Sequence, residues 1–263
     1  MAIIHVRGRI EDGENPITPE PPAGRPQRDG DRAMATGSGR VNGWDPMPVY
    51  GKLLARNGHR NWWPGRTRIE IIAGAILTQN TAWTNVETAL ANLEEKGWLR
   101  VESLREVPER RLAEAIRPSG YFRQKARKLK AFVAFLDAHY GGSLRRMSFG
   151  GVETLRPELL GIWGIGPETA DSILLYAFGK PVFVIGAYTR RVLVRHGWAG
   201  VDAAYEDLRK LMERSLPEDA GLWNDYHAQL VRVGQSHCGT RPRCEGCPLE
   251  PMLPPGGPMA LRR

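Results

Sequence analysis

From Pro48 onward, apolar residues recur at three- and four-residue spacing. "RIEIIAGAILTQN", "TNVETALANLEEKGW", "YFRQKARKLKAFVAFLDAHYG" and "AAYEDLRKLMERSL" each gather their apolar positions on one face of a helix. Gly97, Gly141, Gly179 and Gly197 follow such runs and mark helix ends. "PVFVI" is a short, β-branched apolar run and reads as a lone strand. The pattern predicts an all-α protein without internal repeats. Residues 1–45 break it: "ENPITPEPPAGRPQRDGDRAMATGSG" is rich in Gly, Pro, Arg and Asp and cannot bury enough surface to fold, which predicts a disordered tail.

Composition narrows the picture. The chain has 263 residues, 41% of them hydrophobic, enough to build one or two small cored domains. No apolar run is long enough to span a bilayer, and Met1–Arg9 lacks the apolar centre of a signal peptide, so the expectation is a cytoplasmic protein without membrane partners. Acidic and basic residues nearly cancel in the tail, so the net charge of +8 sits on the helical body. That suits a polyanion such as DNA or RNA; an arginine-favouring coding bias is the ordinary alternative. The three cysteines all lie between Cys238 and Cys247. An odd, tight cluster reads as a metal or iron–sulfur site, or its remains, rather than a disulfide framework.

The sharpest local signal is "ELLGIWGIGPETADSILLYAFG". A turn containing Gly164 and Gly166 leads into a helix whose first position is Pro167, where a missing N–H costs nothing. Ala170, Ile173, Leu174, Ala177 and Phe178 form its apolar face. Free N–H groups at the turn can hold a phosphate oxygen, and the glycines allow close approach. Such a contact positions DNA without reading sequence. A helix–turn–helix corner without a ligand remains the plain reading of a lone Gly-x-Gly.

The full run h-x-G-h-G-x-x-T-A resembles the helix-hairpin-helix of the endonuclease III superfamily of DNA glycosylases, and other segments match in the same order from Pro48 to Cys247. The resemblance implies a two-lobed fold: residues 66–181 as a six-helix lobe, 46–65 plus 182–253 as a second lobe ending in the cysteine loop, and 254–263 as a flexible tail. It implies double-stranded DNA with a damaged base as partner, a monomer, and association with the nucleoid. Gln79 and Asn80 then lie in the loop that fills the space of an extruded base. Tyr121 or Phe122 is the wedge of the second probing loop. Gly164, Gly166 and Thr169 belong to the hairpin, where a monovalent cation is a further implied ligand. "WWPGRTRIEIIAGAILTQNTAW" is similar to the branch that includes bacterial 3-methyladenine DNA glycosylases, in which the equivalents of Trp62, Trp63, Pro64 and Trp83 line the base pocket. The plain reading of those tryptophans is a hydrophobic core.

Glycosidic cleavage develops positive charge on the sugar, which a carboxylate stabilises while it activates water. "PVFVIGAYTRRV" resembles the segment that carries the family's catalytic aspartate, yet that position is Gly186. Glu168 and Asp171 on the hairpin helix are the candidate substitutes; the bland reading of Glu168 is a carboxylate favouring a helix N-terminus. On sequence alone, Gly186→Asp is expected to raise activity. Bifunctional members use a lysine amine at the position of Glu168, so β-lyase chemistry is not expected. In the loop "CGTRPRCEGC", Cys238, Cys244 and Cys247 match three of the four thiolates of a [4Fe–4S] site, and the fourth position is Leu253. Three thiols with His237 or water could hold a cluster, or zinc. The leading expectation is a monofunctional DNA glycosylase acting on an alkylated base. The runner-up, favoured by Gly186, is a non-catalytic protein that binds damaged or distorted DNA. A redox or metal-carrier module has only the cysteines in its support.

Overall fold

A computed structural model of the protein describes residues 44–60 and 62–261. The expected disordered tail lies outside these except for Trp44 and Asp45. Twelve α-helices are present among the described residues: α1 Met47–Asn57, α2 Arg68–Leu77, α3 Trp83–Glu95, α4 Val101–Glu106, α5 Glu109–Ala115, α6 Phe122–Tyr140, α7 Leu144–Ser148, α8 Val152–Leu160, α9 Pro167–Ser172, α10 Ala187–Arg195, α11 Tyr205–Ser215 and α12 Ala220–Ser236. The all-α expectation holds. No helix among the described residues is long and apolar enough to cross a membrane.

The glycine signals mark real ends. Gly97, Gly141, Gly179 and Gly197 all take positive φ, the left-handed geometry that closes a helix and that glycine adopts without a Cβ penalty. Pro167 occupies the first turn of α9, as expected. The apolar face of that helix continues beyond Ser172 as a π-helical turn, Ile173–Ala177, which spacing did not predict.

Two sequence readings need correction. The run in α2 is more than one apolar face, because Ile69 and every residue from Ile71 to Leu77 are buried. α2 is a central helix, packed against α3, α6, α9 and the π turn. The run "PVFVI" is buried but pairs with no strand. Its backbone donors go to α11 instead: Phe183 N–H donates to Glu213 Oε1 (3.0 Å) and Ile185 N–H to the Tyr205 hydroxyl (3.3 Å). A short buried apolar run has the same composition in either setting, and side chains from α11 replace the ladder a strand would need.

Around α2 gather α3, α6 and α9, with α5 packed on α6 and α3 and α8 on α9. A second set joins α12 to α1 and α10, and α12 also touches the π turn after α9. The segment after Leu253, expected to be loose, is tied back where Met259 N–H donates to Arg195 O (2.9 Å).

Candidate active site

The tryptophans expected in a base pocket come together. Trp63 and Trp83 meet edge-on at 4.9 Å between ring centroids, Trp62 lies 5.6 Å from Trp63 and 6.0 Å from Trp83, and Tyr176 of the π turn lies 5.0 Å from Trp63. All three indoles are partly buried, while Pro64 is exposed. The chain before Trp62 is held from α12. Asp225 accepts from Arg60 N–H (2.7 Å) and from the Tyr50 hydroxyl (2.8 Å), and Gln229 Nε2 donates to Gly58 O (2.7 Å). Gly74 completes the fit, since a Cβ there would stand 3.2 Å from Trp63 Cζ2. The indole Nε1 of Trp62 is buried and makes no hydrogen bond among the described residues.

Gly186 caps the N-terminus of α10 with φ −80° and ψ 172°, an extended geometry open to any residue. A Cβ added there would lie 3.2 Å from Glu168 Oε1 and 3.4 Å from His227 Nε2, with nothing else within 4 Å. Glu168 therefore brings a carboxylate from α9 to the space a side chain at 186 would use. Glu168 is exposed as a residue, yet the atoms packed around its carboxyl desolvate it and raise it above the ordinary glutamate value. The carboxylate forms no ion pair or hydrogen bond among the described residues. His227 on α12 is buried, and burial pushes its pKa down to about 4, so it is neutral. Its Nδ1 lies 2.5 Å from the Tyr176 hydroxyl, whose own pKa burial raises well above the usual tyrosine value. The phenol keeps its proton, and with the phenol as donor to Nδ1 the single proton of the neutral imidazole falls on Nε2. That atom is buried with no partner.

Asp171, the other expected carboxylate, faces elsewhere. Its side chain is fully buried and accepts from Arg156 Nε (2.7 Å) and Nη2 (3.1 Å) and from the Tyr205 hydroxyl (2.9 Å). Burial raises its carboxyl and Arg156 and Tyr205 oppose that rise. It is a structural ion pair joining α8, α9 and α11.

The residues expected to meet DNA fall into two groups. Asn80 and Tyr121 are exposed and are the non-glycine residues with positive φ among the described residues (54° and 45°), a geometry that costs energy and concentrates at functional loops. Tyr121 is 68% exposed, whereas Phe122 is half-buried between Arg117 and Arg123. Gly164 and Gly166 are exposed in the hairpin. Gly164 is held at φ +84°, and a Cβ there would lie 2.6 Å from Lys128 Cε, so only glycine fits. The other group braces the first. Thr169 is buried and accepts from Gln79 Nε2 (2.9 Å), which also donates to Gly164 O (3.2 Å), while Lys128 Nζ bonds Gln79 Oε1. Lys125, unremarked in the sequence, is buried and donates to Leu77 O (2.8 Å) and Ser119 O (2.6 Å), tying the end of α2 to the Tyr121 loop.

Cys238, Cys244 and Cys247 line one cavity together with His237, Arg195 and Leu253. An aliphatic side chain therefore stands in the wall where spacing puts a fourth thiol. Cys238 Sγ accepts from Arg195 Nη1 (3.2 Å), and burial pushes the Cys244 and Cys247 thiols up. No group of three His, Cys, Asp or Glu among the described residues is arranged around a single metal ion. This donor set does not fit a four-thiolate cluster.

A helical frame thus carries an exposed Gly-x-Gly hairpin and an aromatic box beside a carboxylate. Residues 73–218 match the family model of the HhH-GPD superfamily base excision DNA repair proteins, and the chain belongs to that family of DNA repair glycosylases. It is 42% identical to the "Putative DNA repair glycosylase" of Methanocaldococcus jannaschii over 77% of this chain and 92% of the relative. It is 30% identical to endonuclease III of Thermotoga maritima over 68% of this chain and 79% of that one. Among solved structures, the H. pylori 3-methyladenine DNA glycosylase bound to 1,N6-ethenoadenine superposes with a TM-score of 0.64 and 26% identity, covering 73% of this chain and 98% of that one.

Tyr176, His227, Asp225 and Gln229 were missed by sequence reasoning. Each lies far along the chain from the residue it serves, and only the polar residues interrupting α12's apolar pattern hint at a buried task.

Proposed function

We propose that the protein is a monofunctional DNA glycosylase that hydrolyses the N-glycosidic bond of an alkylated base extruded from duplex DNA. The observation that carries this reading is the box of Trp62, Trp63, Trp83 and Tyr176 beside the unpaired Glu168 carboxylate. A base must leave the stack to be reached. An N3-alkylated adenine is cationic, and π faces attract a cation beyond the gain from burial. The likeness to the H. pylori enzyme supports the same class of substrate. Asn80 and Tyr121 would enter the duplex, and the N–H groups of the Gly164–Gly166 turn would grip the backbone. In this reading the chain works as a monomer with lobes 66–181 and 46–65 plus 182–253, and Gly186 lies where they meet. No amine lies within 4 Å of a Cβ at 186, which supports hydrolysis without a lyase step.

The test is single-turnover excision from duplexes carrying 3-methyladenine, 1,N6-ethenoadenine, hypoxanthine, or uracil or thymine opposite guanine, run beside borohydride trapping on abasic DNA. Excision of the alkylated bases without a covalent adduct is expected. An adduct would require a Schiff base and would remove the monofunctional part. Gly186 favours the second reading, a damage-binding protein; tight binding with excision of no base would establish that instead.

The three-thiol loop would organise the basic segment around Arg241 and Arg243. Protein purified in air is expected to hold fewer than four irons per chain, or zinc; iron, sulfide and zinc analysis measures this, and an air-stable complement of four irons and four sulfides would contradict it.

A further inference from the structure

Glu168 is the acidic side chain beside the aromatic box that has no ionic partner. Asp171, three residues along the same helix, is consumed by Arg156 and Tyr205. Glu168 Oε1 and the buried, unpartnered His227 Nε2 flank the same point above Gly186, where a Cβ would be 3.2 Å and 3.4 Å from them. With glycine at 186 no side chain fills that point. A carboxylate and an imidazole nitrogen facing one place beside a base pocket are the two partners that would hold a water molecule between them, and since Nε2 is closed to solvent in the free protein, that water would enter with the extruded nucleotide.

We propose that Glu168 is the catalytic base of this enzyme, and that His227 Nε2–H positions the attacking water against it. The inference rests on the glycosylase reading above. In the step it describes, the water oxygen forms a bond to C1′ of the sugar as the C1′–N bond breaks. The bonding electron pair leaves with the base nitrogen. A cationic alkylated base departs neutral and needs no proton. The water proton passes to the Glu168 carboxylate and then to solvent. Before the attack, the same carboxylate faces the positive charge growing on the sugar.

The groups around Glu168 come from three other elements. Tyr176 in the π turn and Tyr205 on α11 are both pushed far up by burial, and His227 on α12 lies at about 4. The Asp171–Arg156 pair is an internal ion pair. A base works in its ionised form, so the rate should rise with pH through a point above the ordinary glutamate value.

The test uses the full chain and the duplex panel above, at saturating protein. Glu168→Gln is expected to lower the excision rate by about 10²–10⁴-fold. It should leave DNA affinity intact, abolish the acidic limb of the pH profile, and leave the thermal midpoint equal or higher, because it removes a desolvated, unpaired charge. A merely structural Glu168 would give a lower midpoint and an unchanged limb. His227→Phe is expected to reduce the rate while keeping the acidic limb; an unchanged rate would overturn the role of His227. Excision by Glu168→Gln within a few-fold of the unaltered protein, on any base of the panel, overturns the inference and leaves the glycosylase reading standing. Failure of the unaltered protein to excise any base overturns both.

Discussion

Arg156→Met should destabilise the protein by about 3–5 kcal/mol, the size expected when one member of a buried ion pair is removed. The Asp171 side chain has no exposed surface and Arg156 is 14% exposed, so water cannot take over the lost bonds. The variant would leave Asp171 with the Tyr205 hydroxyl alone. Its carboxyl would then rise further above its unfolded value, so the deficit should be fullest at neutral pH and shrink as the pH falls and the carboxyl takes up a proton. Asp171→Asn should cost less, because Arg156 keeps its 2.5 Å bond to Glu206. The pair Arg156→Met with Asp171→Asn should recover part of the loss, since no buried charge remains. Urea unfolding of the three variants at neutral and acidic pH gives these values. A loss below 1 kcal/mol for Arg156→Met would mean that solvent reaches Asp171. Because the same pair fixes α9 to α8 and α11, the larger loss should bring a looser Glu168 and slower excision.

Much of this frame was legible in the chain. Glycines at 97, 141, 179 and 197 announced helix ends because only a residue without Cβ closes a helix in the left-handed region without strain. The Gly164 turn and Pro167 announced the hairpin for similar local reasons. What spacing could not decide was direction. Glu168 and Asp171 sit three residues apart on one short helix and looked equivalent as substitute bases. Packing of α8 and α11 turns one into an ion pair and leaves the other beside Gly186. "PVFVI" kept its burial but not its strand, because its partners are side chains of α11 rather than a backbone edge. The tryptophans could be read as core or as pocket, and the Trp63 ring meeting Tyr176 needed a contact across 113 residues that no periodicity carries.

Gly186→Asp is expected to restore excision to the Glu168→Gln variant by at least about 10²-fold, the lower range for a positioned general base. On sequence alone this substitution looked like a simple gain, but the site already holds a carboxylate. Added to the unaltered protein, a second one would begin 3.2 Å from Glu168 Oε1 at its Cβ. Two carboxylates that close cannot both ionise easily, and one shared proton raises the apparent pKa of the pair. The single variant should therefore show an acidic limb displaced to higher pH rather than a large increase in rate. In the Glu168→Gln background the repulsion is gone. The glutamine amide can donate to the new carboxylate, and the N-terminus of α10 favours its charge. The backbone poses no obstacle, since φ is −80° at Gly186 and aspartate is a preferred N-cap residue. The measurement is single-turnover excision of the best base in the panel across pH for the two single variants and the double variant, each with its DNA affinity. If the double variant binds DNA as tightly as Glu168→Gln yet stays as slow, a carboxylate at 186 does not substitute for one delivered from α9, and the two positions are not chemically interchangeable in this protein.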